Sequence, residues 1–154
     1  MAFDISLLRS LFTSSLKRAN IGKAAADVLE QGMNGVYSVA FTIGTEDGSN
    51  VINVAIQASD AAGNDIEERC GIVIGLFADA NGDAFQTAED YTIAAGTDGD
   101  VLEVVADKLL FVITEADGDA DIDFTLTGAG TSYLIAFGLG GQIIGTSGAM
   151  THAA

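Results

Sequence analysis

Ala120-Asp121-Ile122-Asp123-Phe124-Thr125-Leu126-Thr127 alternates residue by residue. Ile122, Phe124 and Leu126 point one way along an extended chain, and Asp121, Asp123 and Thr125 the other. This is the pattern of a strand in a sheet with one dry face and one wet face. Working outward, the same period of two governs most of the chain from Gly35 onward. Val36 to Ile43 and Val51 to Ala58 are β-branched, alternating runs separated by Glu46-Asp47-Gly48-Ser49, a good hairpin signal. Further strands are expected at Gly71 to Ala78, Val101 to Ala106, Leu109 to Glu115, Ser132 to Leu139 and Gln142 to Ser147. Eight short strands at intervals of eight to fifteen residues predict an antiparallel β-sandwich rather than alternating strands and helices. The chain contains no proline and nineteen glycines, so its reversals rest on Gly, Asn and Asp at positive φ. Gly138, Gly140 and Gly141 are expected to turn the last hairpin, and Gly128-Ala129-Gly130 to form another turn.

The first thirty residues follow a different rule. Ile5, Leu8, Leu11, Phe12 and Leu16 recur at spacings of three and four, which predicts an amphipathic helix with one apolar stripe over residues 4–31. Asn20 and Gly22 break or bend it, and a second run from Lys23 to Gln31 ends near Gly32. The fold class expected is therefore mainly β, an Ig-like antiparallel sandwich over residues 36–154 preceded by a helical arm over residues 1–35. The stripe either folds back on its own domain or docks on another chain. The second is favoured, because the remaining strands can close a sandwich without a helix. Burying the stripe contributes on the order of 1.5–3 kcal/mol per large side chain, so these five residues are the candidate partner interface.

Charge divides the chain at the same place. Among 154 residues the net charge is −16. Residues 1–31 hold Arg9, Lys17, Arg18 and Lys23 against Asp4, Asp27 and Glu30, a net of +1. Residues 32–154 hold Arg69 and Lys108 against nineteen carboxylates, a net of −17. A body this acidic repels phosphate backbones and anionic lipid alike, so neither nucleic acid nor membrane is an expected partner. The apolar fraction is 49%, enough for a core, yet the longest apolar stretches are too short to span a bilayer. Basic residues interrupt any secretory apolar region at the N-terminus, so synthesis in the cytoplasm is expected.

Nucleophilic chemistry has little to draw on. Cys70 is the one cysteine and His152 the one histidine. The former begins an apolar run and reads as a small buried hydrophobe; the latter is the third residue from the end of the sequence. Nineteen carboxylates on a small body approach one another by chance, and nothing marks any pair as the buried acid and base of a glycosidase. No catalytic residue and no cofactor is expected.

One local pattern recurs: Ser59-Asp60-Ala61-Ala62-Gly63-Asn64-Asp65, Ala78-Asp79-Ala80-Asn81-Gly82-Asp83 and Glu115-Ala116-Asp117-Gly118-Asp119. Alternating acids invite a calcium reading, but an EF-hand loop needs Gly at its sixth position and Glu at its twelfth. Counted from Asp79 these are Ala84 and Asp90; counted from Asp117 they are Ile122 and Gly128. The pattern is read instead as turn chemistry, a carboxylate bonding to its own turn with Gly left-handed, and no metal site is expected.

The stretch Val54 to Asp65, followed by Ile72 to Phe77, Leu109 to Asp119, Ser132 to Gly138 and Gly141-Gln142-Ile143-Ile144, resembles an Ig-like module of bacteriophage virion proteins. In that family a strand ending in a D-A-x-G-N turn opens the module, a T-D-x-x-G turn sits in its middle, and an aromatic strand with a glycine hairpin closes it. The resemblance covers about residues 51–150; the arm lies outside it, and here the middle turn starts Thr114-Glu115. It implies a structural virion protein on the capsid surface, a decoration or cement protein. Such a protein binds the major capsid protein or its own copies, most naturally as a trimer. The alternative is a fibre or adhesin-like module for cell-surface glycan. Of Tyr37, Tyr91 and Tyr133, Tyr91 in the polar loop Asp83 to Tyr91 is the aromatic expected to touch sugar.

Overall fold

The computed structural model describes residues 35–87, 89–138 and 140–153. The helical arm and its stripe, Ile5, Leu8, Leu11, Phe12 and Leu16, lie outside the described residues. The rest is built from ten strands in two antiparallel sheets, with no helix among the described residues. They are β1 (Ser38–Ile43), β2 (Val51–Ser59), β3 (Gly71–Phe77), β4 (Thr92–Ala95), β5 (Asp100–Val105), β6 (Leu109–Ile113), β7 (Asp119–Thr125), β8 (Gly130–Phe137), β9 (Ile143–Thr146) and β10 (Met150–His152). One sheet has the order β1-β2-β7-β4. The other runs β10-β8-β3-β6-β5, with β9 also paired to β8.

All eight expected strands are present, and two more were not foreseen. β4 is four residues long and β10 three, too short for a period to register. The core is the dry parity of both sheets. Ile52, Val54, Ile56, Ala120, Ile122 and Phe124 from β2 and β7 meet Ile72, Ile74, Leu76, Leu110, Val112, Leu134 and Ala136 from β3, β6 and β8. Register holds this in place: Ile52 lies opposite Phe124 and Val54 opposite Ile122, so the whole apolar set faces inward together. Met150 and His152 of β10 are also fully buried, so the C-terminal strand closes one end of the core.

Connections follow the turn chemistry, and more regularly than the sequence suggests. Asp60 Oδ1 accepts the N–H groups of Ala62 (2.8 Å) and Asn64 (2.9 Å), and Asp79 Oδ1 those of Asn81 (2.9 Å) and Asp83 (3.2 Å). Asp47 does the same in the β1–β2 hairpin, toward Ser49 and Val51. In each turn the fourth residue has positive φ: Asn50, Gly63 and Gly82. Gly118 repeats the backbone form after Glu115, whose side chain makes no such bond. The last hairpin turns through Gly138 and Gly141 as expected, Gly138 N–H bonding Gln142 O and Gly141 N–H bonding Gly138 O. Gly128 has positive φ too, but the chain there passes from β7 in one sheet to β8 in the other, so this turn is an arch between sheets and not a hairpin.

The two sheets approach each other at the β1–β9 edge. A side chain on Gly145 would strike the Val39 carbonyl oxygen, a backbone atom that has no room to move. Gly148, two residues before β10, faces open space. Gly145→Ala is therefore expected to destabilise the fold by about 2 kcal/mol or more, and Gly148→Ala to stay within about 0.5 kcal/mol of the parent. Urea unfolding of both variants checks the pair.

Candidate functional site

The two sheets differ in what they show to solvent. On the four-stranded sheet the outward parity of β7 is Asp119, Asp121, Asp123 and Thr125, opposite Gln57, Ala55, Asn53 and Val51 of β2. Asn53 Nδ2 donates to Asp123 Oδ1 at 2.8 Å, and Thr97 Oγ1 to Asp121 Oδ2 at 2.8 Å. This face is polar and acidic, and its Asp121 and Asp123 carboxylates are hydrogen-bonded.

The outward parity of the six-stranded sheet is apolar. One row crosses it as Leu102, Phe111, Val73, Phe137 and Ile143, from β5 through β6, β3 and β8 to β9. A second row is Val105, Leu109, Gly75, Ile135 and Thr146, and a third is Phe77 with Tyr133. Two glycines keep this surface flat: the Phe111 ring lies over Gly71, and the Phe77 and Phe137 rings lie over Gly75. The Asp79 turn folds back across the third row. Phe85 stacks on Phe77 with centroids 4.6 Å apart, and Gly82 comes against Ile135, which is wholly buried although it points away from the core. Nothing among the described residues covers the first row in the same way. Leu102 is 63% exposed, Ile143 52%, and Val73 and Ile113 36% each. A continuous apolar surface of this kind is unusual on the outside of a sandwich, which makes this face the candidate binding surface.

Ile143 belongs also to a shallow groove lined by Val36, Tyr37, Ser38, Gln142 and Ile144. The groove is where the chain enters β1, so the open row begins beside the point at which residues 1–34 join the sandwich.

The residues with chemical potential lie elsewhere and are already engaged. Cys70 is buried and free; its amide and its sulfur both meet Thr114 Oγ1, and burial pushes the thiol up from its ordinary value, keeping it protonated. His152 is 1% exposed, and its Nε2–H donates to the Phe124 carbonyl at 3.1 Å. The other ring nitrogen, Nδ1, is buried and has no hydrogen-bond partner among the described residues. Tyr91 corrects the expectation of a surface aromatic. It is 5% exposed, packs edge-on against Phe124, and bonds Ser132 Oγ through its hydroxyl at 2.8 Å. Burial, chiefly, raises its pKa. The surrounding loop is polar, but this ring is the loop's apolar anchor, and a buried ring offers no face to a sugar.

The Asp60 and Asp79 carboxylates are occupied by the backbone of their own turns. Among the described residues no group of three or more His, Cys, Asp or Glu side chains converges as a metal site would. Comparison with protein-family models, with curated proteins and with solved structures finds no match to this chain.

The outer sheet face is not marked by alternation in the sequence. The runs Ile72 to Phe77, Leu109 to Ile113 and Tyr133 to Phe137 are apolar at both parities, which already implies a sheet with two dry faces.

The turn aspartates make stability depend on pH. The Asn64 and Asp83 backbone amides, first among several donors, hold the Asp60 and Asp79 carboxyls below the ordinary 3.8. Their contribution is present above that value and is lost as pH falls through the lower folded values. Asp119 runs the other way. A hydrogen bond shared with Asp117, then burial, then repulsion from Asp117, Asp98 and Asp121, raise its carboxyl. Its ionised form costs stability at neutral pH, and that cost disappears as pH falls through the raised value. Asp119→Asn is expected to raise Tm at pH 7. The pair Asp60→Asn and Asp79→Asn is expected to lower Tm at pH 7 and to flatten its fall below pH 4. Melting curves across pH 2–8 test both.

Proposed function

We propose that this protein is a non-enzymatic structural component of a phage particle, a capsid decoration protein. On this reading it is an Ig-like module attached through its N-terminal region and the apolar face of its six-stranded sheet. The observation that carries the reading is the polarity of the body. One sheet presents carboxylates to water, and the other presents a row in which Leu102 and Val73 are exposed and Phe111 and Phe137 half-buried. A module built this way has a side to bind with and a side to leave outward. The acidic side would keep neighbouring copies apart on a crowded shell and keep the particle soluble.

Support for the Ig-like part comes from the central strands. β2 pairs with β7 in one sheet and β3 with β8 in the other, the arrangement of the B–E and C–F pairs in such sandwiches. Between β3 and β7 the route is individual: the chain visits the far side of β7 as β4 before returning beside β3 as β6. The phage assignment draws on the resemblance of the turn and strand motifs. The partners proposed are the major capsid protein and further copies of the chain, with a trimer the favoured oligomer. The alternative of a glycan-binding fibre module has lost its candidate aromatic, since Tyr91 is in the core.

Copy number in purified particles tests the proposal. A decoration protein is expected at a fixed, high ratio to the shell protein by quantitative mass spectrometry. A handful of copies per particle, or none, would move the protein to the tail or remove it from the virion.

A further inference from the structure

We infer that the open row of the six-stranded sheet is the seat of the chain's own residues 4–31, whose apolar stripe lies across Leu102, Phe111, Val73, Phe137 and Ile143 in the same molecule. Four observations lead there. The Asp79 turn and Phe85 roof Ile135 and Phe77 in the second and third rows, while the first row, which starts at Ile143 beside the chain's entry, has no such cover among the described residues. Ile143 stands both in the open row and in the groove with Val36, Tyr37 and Ser38, so the segment joins the sandwich at one end of the surface it would cover.

Dimensions agree. The row crosses five strands, roughly 19 Å at about 4.8 Å per gap. The stripe from Ile5 to Leu16 is roughly 17 Å long at the helical rise of about 1.5 Å per residue. The chain between Leu16 and Gly35 is ample to bring one onto the other.

Charge selects the same occupant. Residues 32–154 carry −17, so the face of a second body is held off by repulsion, whereas residues 1–31 carry +1. Tethering then favours the molecule's own segment over a neighbour's, because the local concentration of a segment attached at the edge of its site is in the millimolar range for a short linker. This inference concerns the isolated, monomeric protein; the segment would have to leave the face before a shell or further copies could use it, so the inference stands or falls independently of the proposed attachment.

Trypsin provides the test, since Arg9, Lys17, Arg18 and Lys23 all lie in the segment while the body holds only Arg69 and Lys108. In the full-length protein, cleavage after Lys17 and Arg18 is expected to be slow. Leu102→Asp should speed it at least about tenfold, the order expected when one large apolar contact is replaced by a charge. Leu102→Met should leave it as in the parent. Leu102 is exposed on edge strand β5, so thermal melting of the body should change little. Leu8→Asp, which lies in the segment itself, should release the same cleavage without touching the sandwich. Light scattering on the eluting protein should give the mass of one chain, with protection independent of concentration. Equal cleavage rates in the parent and both aspartate variants would overturn the inference. So would protection that appears only in an oligomer, which would give the seat to a second copy.

Discussion

The structure depends on one interaction: the packing of the inner parity of β2 and β7 against that of β3, β6 and β8. Ile52, Val54, Ile56, Ile122 and Phe124 on one side and Ile72, Ile74, Leu76, Leu110, Val112 and Leu134 on the other are almost without exposure. Each fully buried side chain of this kind contributes about 1.5–3 kcal/mol, and a register slip of one residue in any central strand would turn its whole set outward. The turns can therefore be small and the edges short. The Asp47, Asp60 and Asp79 carboxylates, each bonded to at least two amides of its own turn, fix where a strand may end and so help to hold register.

The two sheets share this core but differ in what lies on their outer faces. β2 and β7 spend their outward positions on Asn53, Gln57 and three aspartates, as a sheet facing water does. β3, β6 and β8 spend theirs on Val73, Phe77, Phe111, Ile135 and Phe137. A sheet with apolar residues at both parities is stable only when both faces are covered. The Asp79 turn and Phe85 supply part of a second cover, and the remainder is the feature that any account of function has to explain.

Much of this was legible in the sequence. Alternation in Ala120–Thr127 and Val51–Ala58 identified β7 and β2 and the direction of each face, and the D-x-x-G spacing identified turns. Cys70 reads as a buried hydrophobe and is one. What escaped reading did so for physical reasons. β4 and β10 are held by tertiary pairing, with β7 and β8, rather than by a pattern long enough to show a period. Tyr91 and His152 lie in polar or terminal sequence and are buried because Phe124, Ser132 and the end of the core are beside them, which is information only the fold contains. The candidate site was present as three runs of unbroken apolarity. It becomes a surface only when register aligns Leu102, Phe111, Val73 and Phe137 into one row.

The account's central claim is that the outer face of the six-stranded sheet is the protein's binding surface. Hydroxyl-radical footprinting of the full-length protein reads this most directly. Leu102, Phe111 and Ile113 are predicted to oxidise far more slowly than their exposure in the sandwich would allow, with Val104, 56% exposed on the same edge strand, as the internal reference. Oxidation of Leu102 and Ile113 in proportion to their exposure would leave the face bare and contradict the account.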